Sequence, residues 1–510
     1  MLKEALNETL KTANKVADKT QMPLDAEEVG VVVAVTGSII DAIGLKNLKA
    51  EETVLIGKEQ LQGITYNLME DQVGIVALES PEKIQAGDKI VRTNEIVRVP
   101  VGKGLLGRVV DALGRPIDGK GKIVAEDHYR VEREAAPIMH RQAVSEPMQT
   151  GIKAIDSIIQ IGRGQRELIL GDRQTGKTAI AIDTIINQKG NDVICIYCSI
   201  GQRGSATAQV IEKFKETGVI DQVITVVAGG EDSPGMQFMA PYSATSMGEY
   251  FMEQGKDVLI IYDNLTVHAE AYRQMSLYLR RPPGREAFPG DIFYIHARLL
   301  ERSTRLLPKY GGGSLTALPI CETLAENVSA YIPTNLISIT DGQIFLSASL
   351  FQKGMMPAIN VGISVSRVGS SAQLAAYKKV AGPLKMFYAQ FEELEAFAKF
   401  GTQLDAETQK SLTRGERVRE ILKQGQYEPL PVEHQVIIVF SATAGLLDEV
   451  PVKEILNIEK ALLKAVPKKQ KTLMTAIKAG KKLSADDKNN LAESIIEVIK
   501  AKGFEAKMDE

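Results

Sequence analysis

The sequence predicts a multidomain chain: a small N-terminal β-barrel or sandwich, a central α/β domain with a parallel sheet, and a C-terminal α-helical domain. Three observations carry that prediction. Short β-branched runs broken by Gly, Asn, Asp and Pro fill residues 25–97. Continuous apolar strands alternate with helical stretches over 98–373, and a 3.6-residue period takes over in 374–510. The 510 residues agree with this division, since domains average roughly 150 residues. Hydrophobic residues at 44% and charged residues at 25% exclude a disordered or collagen-like chain. With 61 Lys and Arg against 64 Asp and Glu, the net charge is -3, so no chain-wide basic field exists to attract nucleic acid, although a local basic patch stays open. Apolar runs fall short of the ~18 residues that a spanning helix needs. Three cysteines are too few for a disulfide framework and fit a reducing compartment.

The first element, in residues 1–24, is an amphipathic helix, with Leu2, Ala5, Leu6, Leu10, Ala13 and Val16 at helical spacing. Glu4, Glu8 and Asp18 argue against a transit peptide, and no apolar core of a secretory signal is present. The helix either packs on its own domain or docks another subunit. In the next segment the runs VVVAVTGSIIDAIGL, ETVLIG and QVGIVALE have the length and punctuation of barrel or sandwich strands. RELILG, DVICIYCSI, VITVVA and DVLIIYD follow, apolar along their whole length as in a parallel sheet covered on both faces. LKMFYAQFEELEAFAKFGTQLD and VKEILNIEKALLKAV mark the helical end.

Chemistry concentrates in GDRQTGKT, residues Gly171, Asp172, Arg173, Gln174, Thr175, Gly176, Lys177 and Thr178, a phosphate-binding loop between a strand and an apolar helix. Its glycines let successive backbone N–H groups face phosphate oxygens. Lys177 neutralises the outer phosphates, and Thr178 can ligate magnesium where the helix dipole favours anions. Such a loop needs a carboxylate at the end of a nearby strand, and Asp263, closing DVLIIYD, has that position; a helix N-cap is the competing role for it. After DVICIYCSI, where related ATPases carry a glutamate, stands Gln202, which cannot act as a general base but can position a water. Cys195 and Cys198 form a CxxC in a strand, where i and i+3 side chains point to opposite faces, so a core role is expected. His268 and His296 lack companions at metal-ligand spacing.

Longer matches identify a family. The chain resembles, over nearly its whole length, the alpha subunit of the F-type ATP synthase, through VPVGKGLLGRVVDALGRPIDGKG from Val99, IGRGQRELILGDRQTGKTAIAIDTIINQK from Ile161, YRQMSLYLRRPPGREAFPGDIFYIHARLLERS from Tyr272 and PAINVGISVSRVGSSAQ from Pro357. The resemblance implies a recombinase-like nucleotide core that binds ATP or ADP with Mg2+ at a non-catalytic interface site. It implies an alternating hexamer of three alpha and three beta subunits around a gamma stalk, with a delta-type stalk subunit on the N-terminal helix. It implies no nucleic-acid partner, and a membrane reached only through other subunits, on the cytoplasmic face of a bacterial inner membrane or in an organelle. Gln202 resembles the glutamine that replaces the catalytic glutamate of beta. Arg367 matches the arginine offered in trans to the catalytic site on beta, and Pro357, Gln424 and Gln426 match the purine pocket. Thr178 and Asp263, the latter through water, match the magnesium site. The sequence departs from the common pattern at Met356, where many alpha subunits have Arg, and at Asn264, where Asp is usual. An autonomous hexameric motor, an export ATPase or RNA translocase, is the competing expectation.

Overall fold

The computed structural model describes residues 28–398 and 406–508, so the helix expected in 1–24 lies outside the described residues. The protein divides between Ile96 and Val97 into two compact units.

Among its described residues the first unit holds six antiparallel strands: β1 (Val29–Thr36), β2 (Ile39–Ile43), β3 (Glu52–Ile56), β4 (Leu61–Leu68), β5 (Val73–Ala77) and β6 (Lys89–Ile96). They pair in the order β1-β2-β5-β4-β3-β6 and close, so the barrel is realised rather than the sandwich. Closure removes the free strand edges that a six-stranded open sheet would expose. Val32, Ile40, Val54, Ile56, Ile75 and Ile90 fill its interior. Arg92 on β6 bonds both oxygens of buried Glu52 on β3, at 2.8 and 2.9 Å, and donates to Glu28 at 2.9 Å, so the buried carboxylate is paired.

The second unit begins with β7 (Arg98–Val101), β8 (Val109–Asp111) and β9 (Asp127–Arg130), followed by helix α1 (Lys153–Ile158). Then come β10 (Leu168–Gly171), α2 (Lys177–Ile186), β11 (Val193–Gln202), α3 (Gly204–Thr217), β12 (Val223–Gly229), α4 (Pro234–Glu253), β13 (Asp257–Asp263), α5 (Leu265–Tyr278), α6 (Ile292–Leu300), β14 (Ser314–Glu322), α7 (Tyr331–Ile339), β15 (Gly342–Leu346), α8 (Ala348–Gln352) and β16 (Val365–Ser366). The sheet order is β16-β15-β10-β14-β13-β11-β12-β8. Every pairing in it is parallel except β15 with β16, which explains the unalternating apolar strands. Strand β10 lies inside this sheet, so the loop after it opens at the carboxyl ends of the strands, where open α/β sheets bind ligands.

Among the described residues seven helices form the remainder: α9 (Ala375–Ala381), α10 (Leu384–Ala398), α11 (Ala406–Ile421), α12 (Val432–Thr443), α13 (Ile455–Lys469), α14 (Lys471–Lys478) and α15 (Ala485–Ala501). Their apolar faces share one core with the sheet: Ile155, Ile180 and Tyr197 belong to the same cluster as Tyr377, Ile437, Leu462 and Ile495. Two polar anchors cross that core. Asp156 accepts from Thr150 Oγ1 at 2.7 Å and from Gln435 Nε2 at 2.8 Å, and buried Lys153 on α1 pairs with Glu459 on α13. Among the described residues no helix is long and apolar enough to cross a membrane.

Candidate nucleotide site

The loop between β10 and α2 has the backbone its glycines permit. Gly176 sits at φ +100°, where L side chains are strained. A Cβ on Gly171 would lie 2.7 Å from Leu346 O on β15 and 2.8 Å from Thr175 Oγ1, so only glycine lets the loop pass. Two side chains brace the turn from within. Asp172 accepts from Thr323 Oγ1 at 2.6 Å and from the Glu326 N–H at 3.0 Å, while Thr175 Oγ1 donates to Asp172 O at 2.8 Å. Gln174 is exposed, and Arg173 donates to Glu322 Oε2 at 2.9 Å. Lys177 is buried and folds back on the loop, its Nζ donating to Gly171 O at 2.9 Å and Asp172 O at 2.6 Å. Burial pushes its ammonium below the usual lysine value. The ammonium is held by two neutral carbonyls and drawn on at longer range by the Glu322 and Asp263 carboxylates, an arrangement that can accept an anion at the loop.

Opposite the loop, Asp263 is 2% exposed. Its Oδ2 accepts from Thr178 Oγ1 at 2.8 Å and from Tyr197 OH at 2.9 Å, and its Oδ1 accepts from Gln202 Nε2 at 3.2 Å. Burial raises its pKa, against the pull of those donors and of the Lys177 charge. Thr178, Gln202 and Asp263, predicted as site residues from separate segments, therefore meet at one carboxylate. The helix cap belongs to the next residue: Asn264 Oδ1 accepts from the Val267 N–H at 3.0 Å, which leaves the Asp263 side chain to the site. Asn264 Nδ2 also reaches Glu322 Oε1 at 3.4 Å, where an aspartate would set carboxylate against carboxylate.

Tyr197 and Glu322 are site residues that sequence reasoning missed. Tyr197 sits inside an apolar strand and reads as core, yet β11 pairs with β13 so that Ser199 faces Asp263 across the ladder. That register places Tyr197 two residues back on the same face. The acid closing β14 gives Glu322 the same signature as Asp263, apolar strand then carboxylate, and this signal was available in SLTALPICE.

A cleft of about 120 Å3, partly open to solvent, runs from the loop toward the helical region. Pro357, Gln424 and Gln426 line it beside Thr175, Gly176 and Met356, as the family resemblance implies for a base pocket. The two glutamines differ. The Gln424 amide is committed to backbone: Nε2 donates to Gly151 O at 2.8 Å and Glu428 O at 2.7 Å, and Oε1 accepts from the Lys153 N–H at 3.0 Å. Gln426 is exposed at the cleft wall and is the amide available to a ligand.

Arg367 is elsewhere. It follows β16, whose Ser366 pairs with Gly342 at the amino end of β15, whereas Leu346 at the other end pairs with Gly171 of the loop. Four residue steps along a strand span ~13 Å. The guanidinium is exposed at the end of the sheet opposite the protein's own phosphate loop.

Cys195 and Cys198 are free thiols buried in β11. Cys195 packs with Tyr197 in the large core cluster, and burial raises both thiols above the usual range, consistent with inert core residues. His268 and His296, distant in sequence, are fully buried together, with Nδ1 and Nε2 3.3 Å apart. They acquire no metal-ligating third group: no cluster of three or more His, Cys, Asp or Glu able to hold an ion exists among the described residues.

Barrel, parallel sheet with a phosphate loop, and helical end define a nucleotide-binding class, and comparison with known proteins agrees. Three family models match in order: the β-barrel domain of the ATP synthase alpha/beta family over 25–94, its nucleotide-binding domain over 151–366, and its C-terminal domain over 373–498. The protein belongs to the ATP synthase alpha/beta family. Within it, the sequence groups with alpha subunits of the F-type enzyme and is thus a component of an ATP synthase complex. It is 55% identical to ATP synthase subunit alpha 2 of Syntrophus aciditrophicus, across 97% of this chain and 95% of that one. It is 53% identical to ATP synthase subunit alpha 1 of Chlorobium luteolum, across 97% and 96%. Identity to ATP synthase subunit alpha 1 of Rhodopirellula baltica is 54%, across 95% and 97%. An autonomous export ATPase or RNA translocase is not favoured by these relatives.

Proposed function

We propose that this protein binds MgATP or MgADP without turning it over and lends Arg367 to a catalytic site on a neighbouring beta subunit. The observation that carries the first half is Gln202. Its amide nitrogen donates to Asp263, so a group unable to take a proton occupies the place where an attacking water needs a base. The second half rests on topology, since Arg367 projects from the sheet end remote from Lys177 and serves phosphate only across an interface. A guanidinium there meets several equatorial phosphate oxygens as charge develops in transfer.

Magnesium fits the residues present. The Thr178 hydroxyl and the Asp263 carboxylate are hard oxygen donors 2.8 Å apart beside the phosphate loop, the type of set that holds the ion with the help of water and phosphate. When bound, the ion neutralises charge on the outer phosphates. Lys177 shares that task, the loop N–H groups orient the row of phosphates, and Gln426, Pro357 and Met356 form walls for the base.

In this reading three such subunits alternate with three beta subunits around a gamma stalk, residues 1–24 dock a delta-type stalk subunit, and the soluble sector lies on the cytoplasmic face of a bacterial inner membrane, attached through other subunits. The test is equilibrium binding by the purified full-length protein. It binds MgATP with turnover at background, and Lys177→Ala abolishes binding; substantial hydrolysis by the isolated subunit overturns the assignment.

A further inference from the structure

Glu167, immediately before β10, is fully buried at the end of the sheet that carries Arg367. Leu168 pairs with Gln343, so Glu167 stands beside Gly342, and Gly342 pairs with Ser366. The three residues form a row across the sheet that ends next to Arg367, and side chains in one row share a face. Gly342 interposes nothing: a Cβ there would lie 2.5 Å from Glu167 Oε2 and 2.9 Å from Oε1, so the carboxyl group occupies the space over it.

As a structural acid Glu167 is poorly used. Its Oε2 accepts from Gln165 Nε2 at 2.7 Å, while its Oε1 is buried with no partner among the described residues. Glu249, by contrast, has both oxygens bonded to Arg302. A buried oxygen left unpaired costs stability, so what Glu167 contributes lies in its one bond. That bond leads to the arginine. The Gln165 amide is oriented by the Gly162 N–H, which donates to its Oε1 at 2.8 Å, and its Nε2 also donates to Ser366 Oγ at 3.1 Å. Ser366 Oγ donates to Gln160 O at 2.6 Å and accepts from the Gly369 N–H at 3.2 Å, which ties the backbone on both sides of Arg367. The Arg367 N–H donates to Asp341 O at 2.8 Å. Arg166 is engaged with Asp341 and Glu301. Burial, then the Asp341 charge, push the Glu167 carboxyl well above the carboxylate range, against the Gln165 bond and the Arg367 charge, so a glutamine resembles its neutral form.

We propose that Glu167 is a positioning residue for Arg367: through Gln165 and Ser366 it holds the segment from which the guanidinium reaches phosphate on the neighbouring subunit. The proposal rests on the reading that Arg367 serves that site, and deepens it by naming what aims the arginine.

Steady-state ATP hydrolysis by the complex reconstituted with beta and gamma subunits tests this. Glu167→Leu, apolar and of similar bulk, lowers kcat about tenfold and leaves KM within about twofold, since a misaimed group is missed mainly in the transition state. Glu167→Gln, which still accepts from Gln165, restores kcat to within about twofold of the unmodified complex. In an Arg367→Ala background Glu167→Leu costs nothing more, whereas a general loss of folded complex multiplies into both backgrounds. Where Glu167→Leu does not assemble, Ser366→Ala cuts the same chain from its half-buried end and lowers kcat by the same factor, and an unaltered kcat there overturns the proposal. So does an unaltered kcat in an assembled Glu167→Leu complex, an equal loss in Glu167→Gln, or a further loss in the Arg367→Ala background. Failure of the Arg367 reading looks different: Arg367→Ala by itself turns over at the normal rate.

Discussion

Thr178 Oγ1 donates to Asp263 Oδ2 across 2.8 Å, tying the first turn of the phosphate-loop helix to the end of a strand 85 residues further along the sequence. Strand β14 lies between β10 and β13 in the sheet, so this bond closes a gap that no local sequence feature spans. It preorganises two hard oxygens beside Lys177, and removing either one should be felt first by the metal.

Asp263→Asn retains two side-chain polar atoms and removes the charge. Magnesium should then strengthen ATP binding about tenfold less than it does in the unmodified protein, while binding in EDTA is unchanged or improved, because a buried carboxylate next to the phosphates is gone. Equilibrium dialysis with and without Mg2+ checks this; an undiminished magnesium effect places the ion elsewhere.

Arg367→Ala should leave nucleotide binding by the isolated subunit intact and lower steady-state ATPase of the complex reconstituted with beta and gamma subunits by about 10³-fold or more. Arg367→Lys should recover little, because an ammonium lacks the planar fork that meets two oxygens. Near-normal turnover in either variant would show that the arginine serves another purpose.

Glu249→Gln tests a buried anchor between α4 and the segment after α6. Arg302, with a fully buried side chain, donates to both Glu249 oxygens at 2.8 Å and to Ser246 Oγ at 2.7 Å. Since arginine cannot shed its charge, the variant should be destabilised by about 3–5 kcal/mol, and adding Arg302→Met should restore part of the loss. Denaturant unfolding of the three proteins supplies the comparison; additive losses contradict the pairing argument.

The buried histidines set an acid limb. Burial lowers His296 to about 4 and, together with the His296 charge, lowers His268 as well. A histidine depressed in the fold binds protons more readily when unfolded, so its contribution is full above about pH 6.5 and is lost as pH falls toward 4, by ~3 kcal/mol for His296. Replacing it, as in His296→Gln, should flatten the stability profile between those pH values relative to the unmodified protein. Thermal midpoints in that window decide the matter, and parallel profiles would refute it.

Much of the architecture was legible because its signals are local. Unalternating apolar strands demand cover on two faces, and the glycines of GDRQTGKT demand a turn that other residues resist, so sheet type and phosphate loop follow from stretches of fewer than twenty residues. Barrel against sandwich was not decidable, since both use the same short strands; the closing pair β1 and β6 joins segments far apart in sequence. Tyr197 was hidden for a related reason, because only the β11–β13 register separates a core tyrosine from one bonded to Asp263.

The sequence by itself determined the three kinds of architecture, the phosphate-loop motif with Lys177 and Thr178, the glutamine at 202 and the family. Tertiary structure alone decided which side chains share a site. It gave the helix cap to Asn264 and the carboxylate to the loop, committed Gln424 to backbone while leaving Gln426 to the cleft, and set Arg367 at the far end of the sheet from Lys177. The physical reason is range. Backbone preferences and apolar periodicity act over a few residues and are written along the sequence, whereas hydrogen bonds and charge pairing act over a few ångströms between segments that only the folded sheet brings together.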